Sequence, residues 1–172
     1  MNVNEMHRLL GIPSDYGLSP FCPRFREAEH LVDVGADHFG RPQKLSPAAA
    51  WSWAEMRAAA RTDKVDIHLV SGFRSITYQC KLFERKLAAG QTIEVILRTN
   101  AAPGFSQHHT GHALDIGTAG CEPLTEAFAD TGAFCWLVSH AHVFGFSMPY
   151  SPSNRFGFIY EPWHWVHAAI GI

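Results

Sequence analysis

Two short stretches of this chain gather the residue types that bind a metal ion and activate water. The first is Ser106-Gln107-His108-His109-Thr110-Gly111-His112-Ala113-Leu114-Asp115, with three imidazoles and one carboxylate. Imidazole nitrogen and carboxylate oxygen are the ligand types of a catalytic zinc site. A turn at Gly111 would let a histidine at the end of a loop meet an aspartate on the strand that follows. On that strand Ala113, Asp115 and Gly117 share one face, and His112, Leu114 and Ile116 share the other. Asp115 then projects among small residues, which leaves room for an ion. The same residues also suit a polar loop with exposed histidines.

The second stretch is Glu161-Pro162-Trp163-His164-Trp165-Val166-His167. An offset of three puts two residues of a regular strand on opposite faces. Pro162 disfavours a central strand position, so a bend is expected before the strand begins. After the bend, His164 and Val166 share one face. Glu161 could then reach a metal-bound water while His164 holds the metal, with Trp163 and Trp165 excluding solvent and strengthening local electrostatics. An aromatic core strand after a Glu-Pro turn is the plainer alternative.

A third segment, Ser71-Gly72-Phe73-Arg74-Ser75, leaves an apolar strand. A guanidinium there can hold a carboxylate in a two-pronged hydrogen bond or stabilise a developing oxyanion. A lone arginine equally suits a surface ion pair, and Gln79, five residues on, an exposed amide. The chain has no His-Glu-x-x-His, no Gly-x-Ser-x-Gly and no phosphate-cradling glycine loop.

The elements that must position these groups can be read coarsely. Ser46-Pro47 opens a helix, with Ser as cap and Pro in the first turn, and Trp51, Ala54 and Ala58 lie at helical spacing. Residues 65–70 predict a strand, 76–89 a helix stopped by Gly90, 91–98 a shorter helix, and 112–117 a strand. Residues 124–143 predict a helix broken at Gly132. Two β-like runs, 156–160 and 163–168, close the chain. The first 45 residues, rich in Pro and Gly, predict a turn-rich wrap within the same domain. Residues 46–172 then hold the three stretches with candidate chemistry. The absence of a βαβα rhythm favours an α+β fold with a small, mostly antiparallel sheet.

Composition narrows the class further. With 172 residues the chain is one domain's worth, and 47% hydrophobic against 17% charged residues excludes a disordered protein. A formal net charge of −2 argues against a nucleic-acid binder. No apolar run approaches the roughly 18 residues of a membrane span, and Met1–Leu10 shows no apolar core of a secretory signal. Cys22, Cys80, Cys121 and Cys135 are widely spread and are expected as free thiols.

Taken in order, Ser-x-His-x-x-Gly-x-Ala-x-Asp (Ser106, His108, Gly111, Ala113, Asp115) followed about fifty residues later by Glu-x-Trp-His (Glu161, Trp163, His164) resembles the VanY-like D-alanyl-D-alanine carboxypeptidases. These belong to the wider zinc peptidase group of lysostaphin and the hedgehog N-terminal domain. Ser-Gly-Phe-Arg-Ser with Gln79, and Pro103-Gly104-Phe105, resemble further family segments, so the likeness runs over roughly residues 46–168. Gln107 stands where members often carry Glu. The resemblance implies one zinc ion held by His108, Asp115 and His164, with Glu161 as general base and Arg74 on the oxyanion. Ser106 and Gln79 would hold the substrate's terminal residue or carboxylate. His109, His112 and His167 would be supporting residues, with His112 the first substitute should a ligand prove wrong.

The family fold implied is a central antiparallel sheet flanked by helices, with zinc on one face. The activity implied is removal of the terminal D-alanine from peptidoglycan stem peptides or precursors ending in D-Ala-D-Ala. A D-Ala-D-Ala dipeptidase or a peptidoglycan endopeptidase is the alternative, because motifs do not report pocket depth. A non-catalytic wall- or protein-binding module is the alternative of another class, and a base such as Glu161 argues against it. A monomer is expected. The substrate belongs to the cell envelope, whereas the sequence displays no export signal.

Overall fold

The computed structural model describes residues 2–168. The site rests on a four-stranded antiparallel sheet. In order across it run β3 (His68–Ser71), β4 (Ala113–Gly117), β6 (His164–His167) and β5 (Phe146–Ser147). Every residue of β4 is buried, as expected for a central strand covered on both faces. Asp115 pairs with His164 on one side and with Ser71 on the other. Residues directly opposite on neighbouring strands project from the same face. The register therefore places Asp115 and His164 side by side.

The opposite face is apolar. Leu114, Ile116 and Trp165 pack there against α2 (Pro47–Thr62) and α5 (Gly132–His140), through Trp53, Met56, Ala60, Trp136 and Leu137. Helix α2 starts as the sequence predicts, with the Ser46 side chain accepting from the Ala49 N–H. Its buried stripe differs from the predicted one. Ala49, Trp53, Met56 and Ala60 face the core, whereas Trp51 is 72% exposed. In so alanine-rich a helix several stripes have helical spacing, and Met56 decides between them only once the sheet is in place.

A second cluster holds the other side of the site. α1 (Val3–Leu10) lays Met6 and Leu10 against α3 (Ile76–Ala88) and α4 (Ile93–Thr99), where Phe83 and Ile96 are fully buried. Burying a side chain of that size stabilises by about 1.5–3 kcal/mol.

The N-terminal region carries more regular structure than its composition predicts. Asn2 and Glu5 cap α1 reciprocally at 3.0 and 2.9 Å, and Gly11 ends it in the left-handed region. That Asn-x-x-Glu signature was present in the sequence. β1 (Val32–Ala36) and β2 (Pro42–Leu45) form an antiparallel hairpin. Residues 156–160, predicted as a strand, are an irregular loop fastened by the Asn154 amide to the Phe158 carbonyl at 2.9 Å. The partner of β6 is instead the two-residue β5. The predicted 124–143 helix is α5 between two short 3-10 turns, and Gly145 ends the second. All four cysteines are free. Among the described residues no helix is long and apolar enough to cross a membrane.

Candidate metal centre and substrate cavity

His108 sits in a 3-10 turn, Gln107–Thr110, whose cap is the Ser106 hydroxyl accepting from the His108 N–H at 3.3 Å. Gly111 then turns the chain into β4 with φ at +70 degrees; a Cβ there would stand 2.8 Å from the Ser46 nitrogen. At the other end, the His164 N–H donates to the Glu161 carbonyl at 3.1 Å, a turn across Pro162 and Trp163. This bend is what lets Glu161 and His164 serve one site despite their offset of three. Trp165 does not flank the site. It lies in the core, and its indole N–H holds the turn through the Pro162 carbonyl at 3.0 Å. Trp163 alone of the two lines the cavity.

One ligand atom each from His108, Asp115 and His164 lies within 4.8 Å of the others, and all three residues are buried. The hydrogen bonds fix the tautomers. His108 Nδ1 faces the Gly72 carbonyl at 2.7 Å, and a carbonyl only accepts, so Nδ1 carries the proton. The Nε2 lone pair is left without a hydrogen-bond partner, 3.3 Å from Asp115 Oδ1. His164 Nε2 faces Gln107 Oε1 at 2.8 Å, which leaves Nδ1 toward Asp115 Oδ1 at 3.0 Å. Lone pairs converging without a proton between them repel one another, and a cation among them reverses the sign. The donor set and the orphaned Nε2 therefore fit a metal ion such as zinc.

The electrostatics agree. Burial and the nearby Arg74 charge push His108 down to about 4, against the pull of Asp115, so its imidazole is neutral at pH 7. Burial alone would raise Asp115, but its surroundings outweigh that and keep the carboxylate ionised far below its usual range; with the imidazole lone pairs turned toward it, the cation that faces it is the Arg74 guanidinium. Burial and the Asp115 charge push Glu161 up to about 8, partly offset by Arg74 and Lys86. The Tyr150 ring stacks on His164 with centroids 4.7 Å apart.

A cavity of about 220 Å³ opens over this centre, lined among others by Arg74, Gln79, Lys86, Ser106, Glu161 and Trp163. Arg74 donates through Nη2 to Asp115 Oδ2 at 3.2 Å, and its buried Nε has no partner. Gln79 is fully buried; its Nε2 donates to the Ala101 carbonyl at 2.8 Å, and its Oε1 has no partner. Buried polar groups are nearly always paired. Three such orphans around one cavity mark where a ligand's complementary groups would go.

His109 and His112 lie outside the group of three. His109 is fully buried, facing the Arg74 carbonyl at 2.6 Å and accepting from the Gly104 N–H at 3.0 Å. His112 contacts the Ser46 hydroxyl at 3.2 Å and stacks on His167, outside the group of three. Sequence reasoning missed Lys86, Tyr150 and the Gly72 carbonyl. Lys86 was legible as the residue two turns after Gln79. Tyr150, between two prolines' worth of loop, carried no periodic signal.

The fold is that of the hedgehog-like DD-peptidases. The LdcB LD-carboxypeptidase matches with a TM-score of 0.74 at 28% identity, over 85% of this chain and 71% of that one. A VanY D,D-pentapeptidase variant solved with Zn(II) matches in fold with a TM-score of 0.65 at 24% identity, over 81% and 78%. The D-alanyl-D-alanine carboxypeptidase (VanY) family model matches residues 42–170, and the chain belongs to that family. Among relatives, the carboxypeptidase-named YodJ of Bacillus subtilis (strain 168) is 34% identical over 121 residues, 67% of this chain. VanXYC of Enterococcus gallinarum, a bifunctional D-Ala-D-Ala dipeptidase and carboxypeptidase, is 29% identical over 84% of this chain. The chain spans 43% of the length of YodJ and 77% of VanXYC.

Proposed function

We propose that this chain is a zinc-dependent D,D-carboxypeptidase that releases the terminal D-alanine from peptidoglycan stem peptides ending in D-Ala-D-Ala. The observation that carries the reading is the convergence of His108 Nε2, His164 Nδ1 and Asp115 Oδ1 beneath a buried glutamate. The Zn(II) held by the VanY fold relative and the D-Ala-D-Ala specificity of VanXYC support it.

Zinc at these three ligands would supply a polarised scissile carbonyl and a water acidified to a pKa of about 7. Glu161, on the cavity wall, would take a proton from the attacking water on its carboxylate and return it to the departing amine. A carboxyl raised by burial is suited to hold a proton between the two transfers. Arg74 offers its unpaired Nε–H to the carbonyl oxygen as negative charge develops there. The Ser106 oxygen already accepts from the His108 N–H, so its O–H is free to donate to the substrate. Gln79 Oε1 is an acceptor and takes an N–H of the peptide. The cavity, about 220 Å³, is small, which suits small residues such as alanine.

Mass spectrometry of products from a stem pentapeptide, with and without chelator, tests this. Release of a single D-alanine that stops on chelation and returns with zinc is the expected result. No D-alanine from zinc-loaded protein would overturn it. The LdcB likeness favours one second reading, an L,D-carboxypeptidase. A tetrapeptide substrate in the same assay decides between the two.

A further inference from the structure

The cavity holds a cation that the proposed chemistry does not use. Lys86 lines it together with Glu161 and Arg74, but Arg74 is already paired with Asp115. Among the described residues Lys86 has no ion pair. It is half-buried, where a long charged side chain loses both hydration and rotamer freedom. Burial and the Arg74 charge both work against its ammonium, and Glu161 only partly compensates.

The helix explains the aim of this side chain. Lys86 follows Gln79 by seven residues on α3, close to two full turns, so the two share a face. Side chains on a helix lean toward its N-terminus, which carries the Lys86 ammonium back along α3 toward Gln79 and the cavity. The Gln79 amide brings no charge to meet an anion there: one of its N–H donors goes to the Ala101 carbonyl, and its unpartnered atom is an acceptor. An entering carboxylate would therefore find its charge partner in Lys86.

We propose that Lys86 binds the free α-carboxylate at the substrate's C-terminus and so restricts the site to exopeptidase cleavage. The inference rests on the peptidase reading above and deepens it. A charge-assisted contact of this kind selects for a chain that ends inside the cavity. A bond in the middle of a cross-linked peptide offers no such anion.

The test compares a stem pentapeptide ending in D-Ala-D-Ala with its C-terminal carboxamide, using zinc-loaded wild type, Lys86→Met and Lys86→Arg. Wild type should favour the free acid in kcat/KM by 10- to 100-fold. Lys86→Met should bring that ratio close to one, with the loss on the acid mainly in KM, and Lys86→Arg should restore most of it. A Lys86→Met enzyme that keeps the wild-type ratio overturns the proposal. A binding arm separates this from failure of the peptidase reading. In Glu161→Gln protein, calorimetric affinity for the acid over the carboxamide should fall by the same factor when Lys86→Met is added. An unchanged affinity ratio there overturns the role of Lys86 whether or not the wild type turns over.

Discussion

The central strand β4 and the hairpin β1–β2 hold the same site by opposite means. All of β4 is buried, and Asp115 is fixed there by ladder bonds and by apolar packing behind it. The hairpin is mostly exposed, and of its strand residues only Leu45 is buried. Yet it controls the segment that orients His108. Gln43 Oε1 accepts from the Gly72 N–H at 2.8 Å, the Lys44 carbonyl from the Phe73 N–H at 2.9 Å, and Gly72's own carbonyl holds His108 Nδ1 at 2.7 Å. The buried strand places Asp115 in space, whereas the direction of the His108 lone pair is set through a carbonyl that a surface element holds. The two contributions can be separated by mutation.

The largest effect should come from the core side. His108→Ala or His164→Ala removes a ligand outright, so both bound zinc and activity should be lost, the first read by metal analysis after dialysis. Stoichiometric zinc in either variant would reassign the ligand set, with His112 the first alternative. Glu161→Ala should keep zinc and lose about 10²–10⁴ in kcat, the usual range for a positioned base. Turnover near wild type would take Glu161 out of that role. Together these variants ask whether the buried residues around β4 supply the chemistry as well as the scaffold.

The same contrast explains what the sequence could and could not reveal. Asp115, His164 and the bend at Pro162 were legible because strand alternation and proline geometry are local rules. So were the Ser46 and Gly90 boundaries of α2 and α3. The Trp53–Met56 stripe of α2 was not, since helical spacing alone does not choose among alanine-rich faces. The hairpin's role was invisible for a related reason. Nothing local to Gln43 announces that it will meet Gly72, 29 residues away. Gly72 itself is glycine because a Cβ would stand 2.8 Å from the Lys44 carbonyl oxygen. That contact exists only after the hairpin has docked.

Gly72→Ala should therefore test the hairpin side at intermediate cost. The clash is with backbone, which cannot swing away, so a loss of about 1–3 kcal/mol in stability is expected, the range for an overpacked contact. Zinc affinity should fall with it, because the Gly72 carbonyl moves away from His108. Contacts of this kind around metal-binding histidines are typically worth 10–100-fold in affinity. Unchanged affinity in a destabilised variant would show that the hairpin stabilises the fold without orienting the ligand.

The smallest effect, and the one most specific to the hairpin, concerns Asp37. Its Oδ1 accepts from the Phe39 and Arg41 N–H groups at 2.8 and 2.9 Å, and its Oδ2 from Arg41 Nε at 2.7 Å and Gln43 Nε2 at 2.8 Å. Burial would raise this carboxyl, but those donors and the Arg41 charge outweigh it and hold it below its ordinary value. A carboxylate whose folded pKa is depressed contributes its stability in full above the unfolded value, about 3.9. That contribution is lost as pH falls through the lower, folded value. Asp37→Asn turns one accepting oxygen into a donor facing donors, and should cost about 1–2 kcal/mol at pH 7. For a domain of this size that is roughly 2–8 °C in Tm. Thermal unfolding of the metal-free proteins should show this gap constant from pH 7 to about 5 and shrinking below about 4. Titration of Asp115 is common to both proteins and drops out of the difference. A gap as wide at pH 3 as at pH 7 would mean that the Asp37 charge contributes nothing and that the hairpin is held by its backbone bonds alone.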